Sequence, residues 1–216
     1  MFSIIQAAGW PIWPLLACSV LALAVVIERF MSLRPQHIAP PKLADEAILV
    51  SRFAVPSNDI VLQLEQNSLL GRVLASGLRA LSKNPRLSED DLRSALEGAG
   101  REAAHELERY MAALATIASA APLLGLLGTV IGMIEIFGSQ TGGMTGADNP
   151  AQLAQGISIA LYNTAFGLIV AIPSLIFWRY FRGRVEGYVL QMELAAERFA
   201  RHLNTCLLYT SPSPRD

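Results

Sequence analysis

Positive charge is missing from two long stretches: no Lys or Arg precedes Arg29, and none lies between Tyr110 and Trp178. All 17 basic residues therefore fall in two blocks, residues 29–109 and 179–215. A secretory signal needs a basic segment ahead of its apolar core, so the gap before Arg29 excludes that reading of the first apolar run. Leu15-Leu16-Ala17-Cys18 imitates a lipoprotein cleavage box, but the chain stays apolar as far as Ile27. Cysteine is scarce too. With only Cys18 and Cys206 there is no pairing argument for a disulfide, and Cys18 reads as a small buried hydrophobe. The three histidines, His37, His105 and His202, are scattered. Neither HExxH, CxxC, GxSxG nor a GxxxxGK[ST] loop occurs, so no catalytic, cofactor-binding or metal-binding residues are assigned, and no enzyme is expected. Nucleic acid is not an expected partner.

What is present is apolar. The 216 residues are 52% hydrophobic and 16% charged, with a mean hydropathy of +0.39, a balance that belongs to the membrane class. Three runs are long enough to cross a bilayer, at roughly 10–30, 112–137 and 151–178, each holding the ~20 apolar residues that a hydrocarbon core of ~30 Å requires. The positive-inside rule makes both basic blocks cytoplasmic and puts the N-terminus and the turn around Gly142 and Gly143 on the other side. Trp10 and Trp13 suit an outer aromatic belt, and Glu28-Arg29 marks the inner boundary, where Arg can snorkel.

The expected fold is all-α: a polytopic membrane protein with three transmembrane helices, two of them extended into long cytoplasmic helices. Residues 1–31 hold the N-terminal segment and first span, 32–111 a cytoplasmic helical region, 112–138 the second span and 139–150 a periplasmic turn. Residues 151–178 hold the third span and 179–204 a cytoplasmic helical tail. The last segment, 205–216, ends in SPSPRD, resembles translated adapter read-through, and is left out of the fold.

Within the polar region, PKLADEAILVSRFA reads as a short helix ending before Pro56. A second spans about residues 59–83, with Ile60, Leu64, Leu74, Leu78 and Leu81 as buried positions. Ser88 followed by Glu89-Asp90-Asp91 is an N-cap with an acidic first turn. From there Leu92, Leu96, Ala99, Ala103, Leu107, Tyr110 and Leu114 recur at helical spacing, which predicts one unbroken helix of about 48 residues, ~70 Å long at 1.5 Å per residue. In the tail, Val185, Val189, Met192, Ala196, Phe199 and Leu203 keep an apolar stripe. Gly98, Gly100, Gly183 and Gly187 mark either close helix contacts or hinges.

The informative polar atoms lie inside the spans: Thr116, Ser119 and Thr129 in the second, and Ser158, Tyr162, Asn163 and Thr164 in the third. Such groups often join helices by hydrogen bonds of up to ~1–2 kcal/mol. Thr129 and Thr164 lie near mid-span, where a shared polar ring could hydrate a pore. Gly128 and Gly132 form GxxxG, and Gly156, Ala160 and Thr164 repeat at four-residue spacing, a pattern in two adjacent spans that points to close packing in an oligomer.

These residues carry a resemblance. Pro122-Leu-Leu-Gly-Leu-Leu-Gly-Thr129-Val-Ile-Gly132-Met133 in the second span resembles the MotA/TolQ/ExbB proton-channel family, nearest its ExbB branch. So do Gly156-Ile-Ser-Ile-Ala160-Leu161, Thr164-Ala165, Gly167-Leu168 and Ala171-Ile172-Pro173 in the third. The resemblance covers roughly residues 1–204. It implies a bacterial inner-membrane energy transducer, N-terminus periplasmic and C-terminus cytoplasmic, forming a pentamer around single helices of an ExbD-like partner. The coupling ion would be H+, and the force would reach outer-membrane transporters through a TonB-like protein. Thr129 and Thr164 match the family's pore threonines.

The pattern departs at Ile159, where many members of the family carry Glu. The chain then either relies on a partner's aspartate with the threonines and water, or places its own acid elsewhere. Glu135 is the only acid of the second and third spans, and it reads either as a solvated residue at a helix end or as a proton or cation entry site. A TolQ-like subunit that maintains the envelope, or another ion-driven motor subunit, is an alternative. A membrane scaffold that conducts nothing is an alternative of another class.

Overall fold

Long apolar runs with few breakers favour helix, because in lipid each backbone group must find its partner within its own segment. The computed structural model describes residues 10–51, 56–84, 87–140 and 150–210, and every element assigned among them is helical. In chain order these are α1 Ile12–Ser32, α2 Pro35–Ile38, α3 Leu43–Val50, α4 Asn58–Asn67, α5 Leu69–Lys83, α6 Glu89–Glu108, α7 Met111–Gln140 and α8 Pro150–Thr210. Helices long and apolar enough to cross a membrane lie within Ile12–Ser32, Glu89–Gly138 and Ala154–Thr205. The chain divides into two compact units, one of residues 1–29 and 110–181, the other of residues 30–109 and 182–216.

The first unit is held by small residues. Leu15 of α1, Ala121 of α7 and Ala171 of α8 form its buried cluster, flanked by Leu124 and Val170. Its outer faces are greasy: Val20, Leu23, Leu123, Ile134, Leu161, Ile169 and Ile176 are all exposed. At roughly 25 cal/mol per Å² of apolar surface, that arrangement suits hydrocarbon rather than water. Pro122 and Pro173 both lie inside helices, where each withholds one backbone N–H from the ladder. Neither ends its helix. Ser174, next to Pro173, donates its hydroxyl to the Val170 carbonyl at 2.7 Å.

The second unit is built on α5, whose Leu70, Val73, Leu74, Leu78 and Leu81 are buried and which packs against α4 and α6. The distal part of α8 contributes Val185, Met192, Phe199 and Leu203. Ser88 caps α6 as its sequence suggests, accepting from the Asp91 amide at 3.1 Å.

Several expectations change. The helix expected over residues 59–83 is two helices, because Ser68 adopts an extended conformation and caps α5 by accepting from the Gly71 amide at 3.0 Å. That break resets the helical phase: Val61 is buried and Ile60 is exposed, the reverse of a single-helix register. Around Gly98, Gly100, Gly183 and Gly187 nothing lies within 4 Å of an added Cβ, so these positions make no close helix contact within the chain. Finally, α8 passes Asn204 and continues to Thr210, beyond the point where its stripe was expected to end. Residues 52–54 of the first short helix, the 142–143 turn and the SPSPRD string fall outside the described residues.

The expected 48-residue helix is also interrupted, between α6 and α7. Arg109 is extended at ψ 138°, and Tyr110 has φ 64°, the one positive φ of a non-glycine among the described residues. For an L-residue that conformation costs about 1–2 kcal/mol. No proline or glycine in the sequence asks for it. Tyr110 is consequently exposed rather than part of the buried stripe. Its ring lies under the Arg29 guanidinium, 5.4 Å from centroid to Cζ, a cation–π contact of about 0.5–2 kcal/mol. Arg29 is only 3% exposed and donates twice to Glu28, at 2.5 and 2.9 Å.

Where α4 meets α5 a glycine is compulsory: an added Cβ on Gly71 would stand 1.9 Å from the Leu64 carbonyl oxygen, which is backbone and cannot swing aside. Gly71→Ala is expected to destabilise the second unit by about 1–3 kcal/mol, and Ser68→Ala by about 1 kcal/mol through loss of the cap. Thermal unfolding followed by helical circular dichroism checks both; an unshifted midpoint for Gly71→Ala would show that α4 and α5 do not approach so closely.

Candidate functional site

The arrangement of α7 against α8 follows from residues without bulk. Gly132 faces Ala160, Gly128 faces the Asn163 side chain, and Gly125 faces the backbone at Asn163, Thr164 and Gly167. Gly156 lies against Ile136. Position numbers rise on one helix as they fall on the other, so the two run antiparallel with a continuous seam. At Gly125 and Gly167 the approach is backbone to backbone: an added Cβ on either would come within 3.2 Å of the other's Cα. Gly128, Gly132, Gly156 and Ala160 are thus occupied in packing within one chain.

Thr164 bridges the seam, its hydroxyl donating to the Gly125 carbonyl at 3.3 Å. Thr129 adjoins Gly128, which faces Asn163, so the two threonines lie at one depth. At 100° per residue each is turned roughly 40–70° from the contact line, and in antiparallel helices those turns lead to the same flank. The Thr129 hydroxyl donates to its own Leu126 carbonyl at 2.6 Å. Such a back-bond satisfies the group in an apolar setting while keeping the oxygen's lone pairs available.

Glu135 is elsewhere. Six residues past Thr129 is about 240° around the helix, which puts it on the opposite flank of the seam. The neighbouring contacts Gly132–Ala160 and Ile136–Gly156 set Glu135 at the depth of residues 157–159, and its side chain is exposed. Ile159 is half-buried. Thr116 and Ser119 are exposed hydroxyls bonded back to Ala112 and to Ala115 and Thr116, and Ser158 and Tyr162 are exposed on α8. The register of the seam therefore sets Thr129 and Thr164 within about half a turn of one depth and on one flank, and Glu135 on the other.

The sequence undervalued Asn163, Gly125 and Gly167. Asn163 is 2% exposed and fills the space that Gly128 leaves. The spacing Gly125, Gly128, Gly132 steps by three and four residues, the repeat of a single helix face, and could have identified the seam. Among the described residues, His, Cys, Asp and Glu side chains do not gather in groups of three that could hold a metal.

A seam of glycines between two apolar helices, with paired hydroxyls on one flank, is the ground on which relatives can be compared. The profile of the MotA/TolQ/ExbB proton channel family matches residues 65–194. The chain is 34% identical over 203 residues to biopolymer transport protein ExbB-like 3 of Synechocystis sp., covering 90% of this chain and 94% of that one. It is 30% identical over 183 residues to biopolymer transport protein ExbB1 of Vibrio cholerae, covering 79% and 74%. Over 88 residues it is 41% identical to biopolymer transport protein ExbB of Aquifex aeolicus, covering 41% and 58%. The chain belongs to the MotA/TolQ/ExbB proton channel family, and its three apolar helices make it a multi-pass membrane protein.

The seam predicts an asymmetry among its glycines. On Gly125 an added Cβ would stand 2.8 Å from the Asn163 carbonyl oxygen, whereas on Gly132 it would meet the Ala160 Cβ at 3.3 Å, a gap that a small shift opens. Gly125→Ala is expected to destabilise by about 1–3 kcal/mol and Gly132→Ala by under about 1 kcal/mol. Melting of the detergent-solubilised protein, read by size-exclusion recovery after heating, would contradict the seam if the two variants behaved alike.

Proposed function

We propose that this chain is an ExbB-like inner-membrane subunit of a complex driven by the proton-motive force. With an ExbD-like single-span partner it powers TonB-dependent transport across the outer membrane. Family membership supports the channel-subunit reading, and one observation carries it to residues: Thr129 and Thr164 share a depth and a flank of the α7–α8 seam. Several copies, five by the family resemblance, would turn those flanks inward around the partner helix, giving a ring of hydroxyls that can order water near mid-membrane. H+ is the coupling ion in this reading. A carboxylate for the relay comes from the partner, since position 159 is Ile and Glu135 lies off the threonine flank. The basic blocks set the orientation, N-terminus periplasmic and C-terminus cytoplasmic, with the polar helical region and the distal part of α8 in the cytoplasm.

Vesicles containing the protein and its partner should take up protons when a voltage is applied. Thr164→Ala or Thr129→Val should lower the rate about five- to tenfold, the equivalent of losing one hydrogen bond of about 1 kcal/mol at the barrier. Glu135→Gln should leave it unchanged. Absence of voltage-driven uptake with the partner present would favour a scaffold that conducts nothing, and a large loss in Glu135→Gln would make that acid an entry site.

A further inference from the structure

Within the second unit an open groove of about 550 Å³ lies between α6 and the distal part of α8. Its lining runs from Glu89 to Ala104 on α6 and from Val189 to Arg201 on α8, a length of ~18–22 Å at 1.5 Å per residue. Asn204 ties one end, donating to Glu89 at 2.7 Å. Volume over length leaves a cross-section of only about 25–30 Å², too thin for a helix, which is about 10–12 Å across with its side chains. An extended strand matches it: neighbouring strands lie about 4.8 Å apart, and one side-chain face is about 5 Å deep, half the ~10 Å between stacked sheets. At about 3.3 Å per residue the groove takes about seven residues.

The lining says what that strand must carry. Leu96, Val189 and Met192 make the floor apolar, and at Gly100 nothing lies within 4 Å of an added Cβ. Along the α6 bank Glu89, Arg93, Glu97 and Arg101 alternate in sign at four-residue steps, ~6 Å apart. Residues on one face of a strand recur every ~6.6 Å, so the two repeats stay within about 2 Å of register over three steps. Arg93 and Glu97 meet only at 3.6 Å, with both side chains exposed, and such a pair is weak enough to exchange for an outside partner. Arg101 and, from α8, Glu193 have no ion partner among the described residues. A lipid chain has a similar girth, but charges of both signs along the rim suit a peptide.

We propose that this groove binds an extended segment of a partner protein, about seven residues long, in which apolar residues alternate with charges that themselves alternate in sign. The apolar face rests on Leu96 and Met192. Basic side chains lie opposite Glu89 and Glu97, and acidic ones opposite Arg93 and Arg101. The site stands on the geometry of the second unit and not on any reading of ion flow.

Fluorescence anisotropy on the full chain in lipid nanodiscs tests this with labelled, end-blocked heptapeptides. Lys-Val-Glu-Ala-Lys-Val-Glu, or its reverse, which suits the opposite chain direction, should saturate at one peptide per chain below about 1 mM. The isomer Lys-Val-Lys-Ala-Glu-Val-Glu has the same composition with its charges segregated, and should bind about tenfold more weakly, since two of its four charges meet like charges on the bank. Arg101→Glu should weaken the binding peptide about fivefold, and replacing that peptide's terminal glutamate by lysine should restore it. Gly100→Leu, whose side chain enters open space, should abolish binding while leaving the fold intact. Failure of both alternating peptides to bind the parent chain, equal binding of the segregated isomer, or binding that survives Gly100→Leu overturns the proposal. So does a fatty acyl chain found by native mass spectrometry on the parent and lost from Gly100→Leu, which would make the groove a lipid site.

Discussion

Everything in the first unit depends on how closely α7 and α8 can approach. Gly125 and Gly167 let two backbones touch, and that contact fixes the register that sets Gly128 against Asn163, Gly132 against Ala160, and Ile136 over Gly156, with Thr129 and Thr164 turned to one flank. In lipid there is no hydrophobic force to pull helices together, so dispersion between close backbones and a few hydrogen bonds must do it. A methyl group at Gly125 would push the partner carbonyl away and shift every pairing along the seam. The hydroxyl pair is a consequence of the glycines before it is a feature of the threonines.

Much of this was visible in the residues and some was not. The three apolar runs announced three helices, and the buried stripes of α6 and distal α8 follow the 3.6-residue period at Leu92, Leu96, Phe199 and Leu203. The second unit's division at Ser68 was readable in principle, since Ser three residues before Gly71 has the spacing of an N-cap, but a strong apolar period on either side masks such a signal. The break at Tyr110 was not readable from its neighbourhood. The ring it presents lies under Arg29, eighty-one positions earlier, and local propensity cannot report a contact across that separation. For the site, depth followed from spacing alone while flank did not. On a linear map Thr129 and Thr164 lie near mid-span and Glu135 near a helix end, and the contact line between the two helices adds that the acid lies on the other flank.

The polar atoms of the first unit follow one economy. Thr116, Ser119, Thr129 and Ser174 each donate to a carbonyl three or four residues earlier on their own helix. Thr164 is different in reaching across to the facing helix. Hydroxyls kept in this way cost little in lipid and can exchange that bond for water when water arrives. Asn163, by contrast, is packed against Gly128 and has no room to change partner geometry.

Pro122 and Pro173 stand close to the touching pair Ala121 and Ala171, which puts both within about a turn of one level in the bundle. Each removes the donor for a carbonyl four residues earlier, at Ala118 and Ile169, so two antiparallel rods are softened at nearly the same height. Bending is therefore cheapest there for both at once. Such a paired flexure can tilt the two rods in concert while the glycine contacts, which run from it toward Ile136 and Gly156, stay closed.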